Sequence, residues 1–105
     1  MNGKASATKT TPWYELNSPE LGEPLSNFLG ACGKNSVLDT KTKELLMLAL
    51  ASTFRCRQCT EEHIKAALRA GASKVEITEA LLIAAAEAAG TQLAWAKDIL
   101  IEHLD

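Results

Sequence analysis

Leu45-Leu46-Met47-Leu48-Ala49-Leu50-Ala51 is an unbroken run of seven apolar residues. Wound at 3.6 residues per turn, it places apolar side chains on every face of a helix, and such a helix belongs in a core. Asp39 has the short acceptor side chain that opens a helix, so the run is expected inside a helix over 40–54. A second run, Leu81-Leu82-Ile83-Ala84-Ala85-Ala86, lies within an apolar segment over 77–89. Ahead of it, Ser73-Lys74-Val75-Glu76 has the spacing of a capping box. Gly90 is expected to interrupt this helix, leaving 91–104 as a final amphipathic helix with Leu93, Trp95, Ala96 and Leu100 turned inward. Between the two runs, 59–70 reads as a helix closed by Gly71, a favoured residue just past a helix end. Upstream, Ser18-Pro19-Glu20 pairs an N-cap with a first-turn proline. Gly22 and Pro24 are expected to break or restart that helix, which then continues through Phe28 to about Cys32. No segment alternates with period two, so the fold is expected to be all-α.

The 105 residues suffice for a single core, expected over 13–105 behind a polar, mobile tail at 1–12. Two fully apolar helices are more than three or four other helical pieces can cover. Some of their surface is therefore expected against other subunits, in an oligomeric helix bundle. Eleven basic against thirteen acidic side chains leave a net charge of −2 and no basic stripe, which argues against nucleic acid as a partner. The longest apolar stretch is far short of the ~20 residues a membrane span needs. Met1–Thr11 lacks the apolar segment of a secretory signal, which makes the cytoplasm the default compartment. Three cysteines in that compartment are not a disulfide framework, so their spacing carries the information.

That information sits in Cys56-Arg57-Gln58-Cys59-Thr60-Glu61-Glu62-His63. If these residues are helical, Cys56, Cys59 and His63 fall on a narrow arc of one face. The two cysteine Cα atoms would then lie about 5–6 Å apart, within disulfide range. A bridge closing so short a loop contributes only about 2 kcal/mol. It is a poor staple and a serviceable reversible redox couple. A helix start, Arg55, Arg57 and the nearby His63 all favour a thiolate. An ordinary thiol is only about 3% ionised at pH 7, and a pKa lowered by two units makes it about three-quarters ionised. Glu44 stands beside the first apolar run, where an unpaired carboxylate is costly. Paired with His63 beside the cysteines, it would orient a base for the thiol. Alternatives stay open at this point. One is an inert pair with His63 hydrogen-bonded in the core, and another is zinc held by Cys56, Cys59 and His63 with His103 or Cys32 as a fourth ligand. Cys32 itself reads as a core residue four positions after Phe28, and Glu44 could be an exposed first-turn carboxylate.

Glu44, Cys56-x-x-Cys59-x-x-x-His63, Gly71-Ala72-Ser73 and Glu76-Ile77-x-Glu79-Ala80 resemble the carboxymuconolactone decarboxylase family, most closely its alkylhydroperoxidase D-like branch. The resemblance covers about 19–96 and is strongest over 39–90. It implies an all-α homo-oligomer, often a trimer or hexamer, that reduces peroxides or exchanges thiols and disulfides at the CxxC. Cys59 would then be the peroxide-reactive thiol and Cys56 the resolving one, with His63 and Glu44 as a proton relay through a water. No cofactor or metal is implied. A dithiol would restore the pair, in better-known relatives a lipoyl group on a carrier protein. Arg57 and Gln58 stand where members often carry a histidine between the cysteines, and the chain is about one helical repeat long. The family's other chemistry, acid–base decarboxylation of a small organic acid, is the alternative activity, and a non-catalytic oligomeric module is the third.

Overall fold

The computed structural model describes residues 10–105, and every regular element among them is a helix. In order these are α1 (Trp13–Asn17), α2 (Pro19–Cys32), α3 (Thr40–Thr53), α4 (Arg57–Arg69) and α5 (Lys74–Leu104). The all-α class expected from the sequence is what the structure shows. Of the expected tail, 1–9 lie outside the described residues. The chain forms two compact units, one ending at Lys34 and the other spanning Asn35–Asp105.

The first unit is built from α1 and α2. Pro19 opens α2, where a missing N–H costs nothing, and the expected break at Gly22 and Pro24 does not occur. Pro24 forgoes only its bond to the Glu20 carbonyl, one turn from the helix start, and the helix continues through it. Gly22 is buried because α1 passes directly over it: a Cβ there would stand 2.5 Å from the Glu15 Cα and 2.6 Å from the Tyr14 carbonyl oxygen. The Ser26 hydroxyl donates to Glu15 Oε2 at 2.8 Å, a second tie between the two helices. Cys32 is half-buried and reduced, while Phe28, expected beside it in a core, is exposed.

The second unit packs α3 against both α4 and α5. Its core is small: Leu48, fully buried, with Ala67, Ala72 and Ile77, flanked by Leu45, Ile64 and Leu81. Asp39 caps α3 as expected, accepting from the Thr42 N–H at 2.8 Å. Ser73 and Glu76 form the expected capping box at the start of α5. At the end of α4, Gly71 is left-handed (φ 96°), the Ala72 N–H bonds the Ala67 carbonyl, and the Gly71 N–H bonds the Leu68 carbonyl. This is the Schellman closure, with the following Ala72 buried in the core.

Two expectations are corrected here. Gly90 does not interrupt the last helix: α5 runs unbroken for 31 residues. A glycine inside a helix costs only about 1 kcal/mol relative to alanine, which a long flanking helix absorbs. Nothing lies within 4 Å of where a Cβ at Gly90 would be, so no close approach explains it either. The side chains expected to turn inward on 91–104 are also largely exposed, while the apolar helices keep the uncovered surface expected of them. Leu46, Leu50, Leu82 and Ile83 are exposed, as are Leu93, Leu100 and Trp95, the last at 74%. Of the side chains expected to turn inward on 91–104, Ala96 alone is half-buried. Within the second unit α4 and α5 pack on α3, and Leu46 and Leu50 stay exposed.

Candidate functional site

The site is set by how α3 ends and α4 begins. The α3 C-terminus repeats the Schellman pattern seen on α4: the Arg55 N–H bonds the Ser52 carbonyl and the Cys56 N–H bonds the Ala51 carbonyl, at 3.2 and 3.0 Å. Arg55 takes the left-handed position, with φ 60°, where glycine is the usual occupant. Cys56 follows immediately as the N-cap of α4, in extended conformation, with its Sγ accepting the Cys59 N–H at 3.1 Å. The Thr60 N–H and hydroxyl both donate to the Cys56 carbonyl, at 2.9 and 2.8 Å. One residue thus closes one helix and opens the next. Because Cys56 caps α4 rather than lying within it, the expected three-residue arc holds only for Cys59 and His63, which are four apart on the helix.

Cys56 and Cys59 are joined in a disulfide with their Cα atoms 5.3 Å apart, in the range the spacing predicts. The sequence placed the cysteines at a helix start, and that is where they lie. An Sγ at an N-cap, bonded by a backbone N–H, is a favourable seat for a thiolate once the bridge opens.

Glu44, on the second turn of α3, is buried with 7% of its surface exposed. The reading of it as an exposed first-turn carboxylate is therefore set aside. Its Oε1 lies 2.7 Å from His63 Nδ1. A carboxylate in this position accepts the Nδ1–H bond, fixes that tautomer, and leaves Nε2 free to take a proton. No buried side-chain polar atom among the described residues lacks a partner, so the pair is self-sufficient. The structure thus brings together Glu44 with His63 and Cys56 with Cys59, and sets His63 one helical turn beyond Cys59. Cys32 lies in the other unit and takes no part in the bridge. His103 is in the last turn of α5, a favourable place for a basic side chain. Among the described residues no three His, Cys, Asp or Glu side chains converge as a metal-ligand set.

A shallow cleft of about 530 Å³ opens beside the bridge, lined by Cys56, Arg55, Arg57, Ile64 and Lys65 among others. The sequence names the two arginines only as flanking charges. Their gathering on one cleft depends on the left-handed turn at Arg55, which no glycine or asparagine announces.

Three likenesses to known proteins bear on this arrangement. The model of the carboxymuconolactone decarboxylase family matches residues 19–102. "Uncharacterized protein 4 in cox locus" of Paracoccus denitrificans is 39% identical over 66 residues, which are 63% of this chain and 60% of that protein. The match therefore spans about three-fifths of that relative's length. A crystal structure of a protein from Methanobacterium thermoautotrophicum superposes with a TM-score of 0.74 at 32% identity, covering 82% of this chain and 97% of the other. With helices, capping and cysteine-bearing turn already described, the match over 19–102 closes the assignment: the chain belongs to the carboxymuconolactone decarboxylase family.

Proposed function

We propose that this protein is a thiol-dependent oxidoreductase that reduces peroxides or disulfides through Cys56 and Cys59, in the manner of the alkylhydroperoxidase D-like branch of its family. The observation that carries the reading is the Cys56–Cys59 bridge at the start of α4 together with the half-buried His63 paired to the buried Glu44. In the reduced protein His63 Nε2 takes the Cys59 proton, through a water. The Cys59 thiolate attacks the peroxide O–O bond, giving Cys59 sulfenic acid and releasing the alcohol or water. Cys56 then attacks the Cys59 sulfur, water leaves, and the disulfide forms. Two electrons have passed from the thiols to the peroxide. A dithiol returns them by exchange, and the cytoplasm is a setting that supplies such donors.

The test is rapid peroxide treatment of the reduced protein followed by thiol labelling. Both Cys56 and Cys59 should lose label and regain it with a dithiol. Cys32→Ser should leave this behaviour intact, and Cys59→Ser should abolish it. Decarboxylation of a small organic acid by Glu44 and His63 needs neither sulfur. Turnover of such an acid retained in the Cys56→Ser/Cys59→Ser variant would replace the redox reading with that one. The working form is a homo-oligomer, a trimer or hexamer. The bare apolar sides of α3 and α5, Leu46, Leu50 and Ile83 among them, support this.

A further inference from the structure

The bridge has two sides, and their surroundings differ. The cleft next to it is lined by Cys56 but not by Cys59. Ile64, half-buried, gives it apolar wall, while Arg55, Arg57 and Lys65 stand around it against a single acid, Glu61. Lys65 Nζ is already 3.3 Å from Glu61 Oε2, so that acid is spent on the lysine. Arg55 donates only to a neutral acceptor, the Ser52 carbonyl, at 3.2 Å. Among the described residues no carboxylate pairs with either of the two guanidinium groups next to Cys56. Arg55 is held there at the cost of a left-handed backbone that glycine would adopt more easily.

We propose that this cleft is the entry for thiol–disulfide exchange, and that Arg55 and Arg57 select there a small disulfide or thiol carrying carboxylates on a short apolar stem. This rests on the oxidoreductase reading and adds to it the charge of the exchange partner and the sulfur it meets. In the reduced protein the Cys56 thiolate, seated on the Cys59 N–H, attacks one sulfur of R–S–S–R. A Cys56–S–S–R bond forms and one R–S⁻ leaves. Cys59 passes its proton to His63 and attacks Cys56 Sγ. The intramolecular bridge forms and the second R–S⁻ leaves. The cysteines lose two electrons to the substrate, and the two thiol protons end on the two R–SH products. A carboxylate-bearing dithiol reverses the same steps, again through a mixed disulfide on Cys56. Peroxide meets Cys59, and the exchange partner meets Cys56.

The experiment uses the full chain carrying Cys32→Ser, reduced beforehand, and two aromatic disulfides that report by absorbance. One is dithiobis(nitrobenzoate), with a carboxylate on each ring, and the other is neutral dithiodipyridine. In the Arg55→Gln/Arg57→Gln variant the rate with the dianionic reagent should fall about 10-fold, and the rate with the neutral one by less than about 2-fold. The ratio is the readout, because a change in thiolate content alone would slow both reagents together. Raising ionic strength from about 0.01 M to about 1 M, which shortens the screening length from ~30 Å to ~3 Å, should slow only the dianionic reagent in the parent protein. Adding Cys59→Ser should trap the nitrobenzoate thiol on Cys56, read by peptide mass. Equal losses for both reagents, no loss for either, or faster adduct formation in Cys56→Ser than in Cys59→Ser would overturn the inference while the oxidoreductase reading stands. If neither reagent oxidises the pair faster than an unstructured CxxC peptide, that reading fails and takes the inference with it.

Discussion

Replacing the Glu44 carboxylate by an amide of the same shape separates charge from packing at the His63 imidazole 2.7 Å away. Glu44→Gln can still accept one hydrogen bond, but it no longer stabilises a protonated ring. Iodoacetamide labelling of Cys59 near neutral pH should slow by about tenfold or more. The pH–rate profile should change shape and not merely height, and Glu44→Asp should recover part of the rate. An unchanged profile would make Glu44 a packing residue. Arg55 supports a prediction of opposite sign. Its φ of 60° is a conformation that costs an L-residue roughly 1–2 kcal/mol, so Arg55→Gly should raise the urea-unfolding free energy by about 1 kcal/mol. The same variant should lose preference for anionic disulfides. A fall in stability would show that the arginine side chain contributes more than its backbone costs. At this scale the sequence is informative where identity and spacing coincide. Two sulfurs three apart and an imidazole four beyond are visible as text, and so is a carboxylate abutting seven apolar residues. The left-handed arginine is not visible, since the usual signal for that backbone is the glycine this chain lacks.

Among the elements, capping residues were the most legible feature. Asp39, Ser73 with Glu76, and Gly71 each act through a bond made within a few residues, so local sequence determines them. Local sequence misleads at the breakers. Pro24 and Gly90 each forfeit about one local contribution, and the cooperativity of a long helix outweighs it. Gly22 matters for a reason local sequence does not carry, the passage of α1 across it. Gly22→Ala should cost about 1–3 kcal/mol through displacement of α1, read as loss of the Trp13 environment by fluorescence before global unfolding. If Gly22→Ala leaves both signals unchanged, the close passage is not maintained in solution. Titration supplies a test of the ties between elements. The Thr42 N–H, then its hydroxyl, holds the Asp39 carboxyl below its ordinary 3.8. The Lys41 ammonium, then the Ser73 N–H, holds Glu76 below its ordinary 4.5, and Glu76 in turn raises Lys41 above 10.5. The two lowered carboxyls contribute stability that is complete above their unfolded values and is lost as pH falls through the folded ones. The raised lysine contributes below its unfolded value and loses that contribution as pH rises through its folded one. The urea midpoint should therefore decline between about pH 5 and pH 3, and Asp39→Asn/Glu76→Gln should flatten that decline. All three groups are solvent-screened, so the slope should be shallow and weaken with salt.

For the molecule as a whole, the apolar helices read from sequence are present, and the side they leave bare is the part that one chain cannot explain. Burial on every face is a property of a sequence among all its neighbours, and within Asn35–Asp105 α3 packs against α4 and α5 while Leu46 and Leu50 stay exposed. Light scattering at micromolar concentration should give a mass three or six times that of one chain, and Leu50→Glu/Ile83→Glu should return it to a single chain. A parent protein that is monomeric at that concentration would remove the assembly from the proposal. No helix among the described residues is long and apolar enough to cross a membrane. The turn at Cys56 has a last consequence. Its N–H is anchored to α3 and its carbonyl to α4, both by main-chain and hydroxyl bonds that do not involve sulfur. Those bonds are independent of the bridge, so the Cys56 and Thr60 amides should keep their hydrogen-exchange protection when the disulfide is reduced. Under the proposed oxidoreductase function, electrons would then be loaded and discharged with the backbone of this turn at rest, as at a rigid battery terminal and not in a shape-changing sensor.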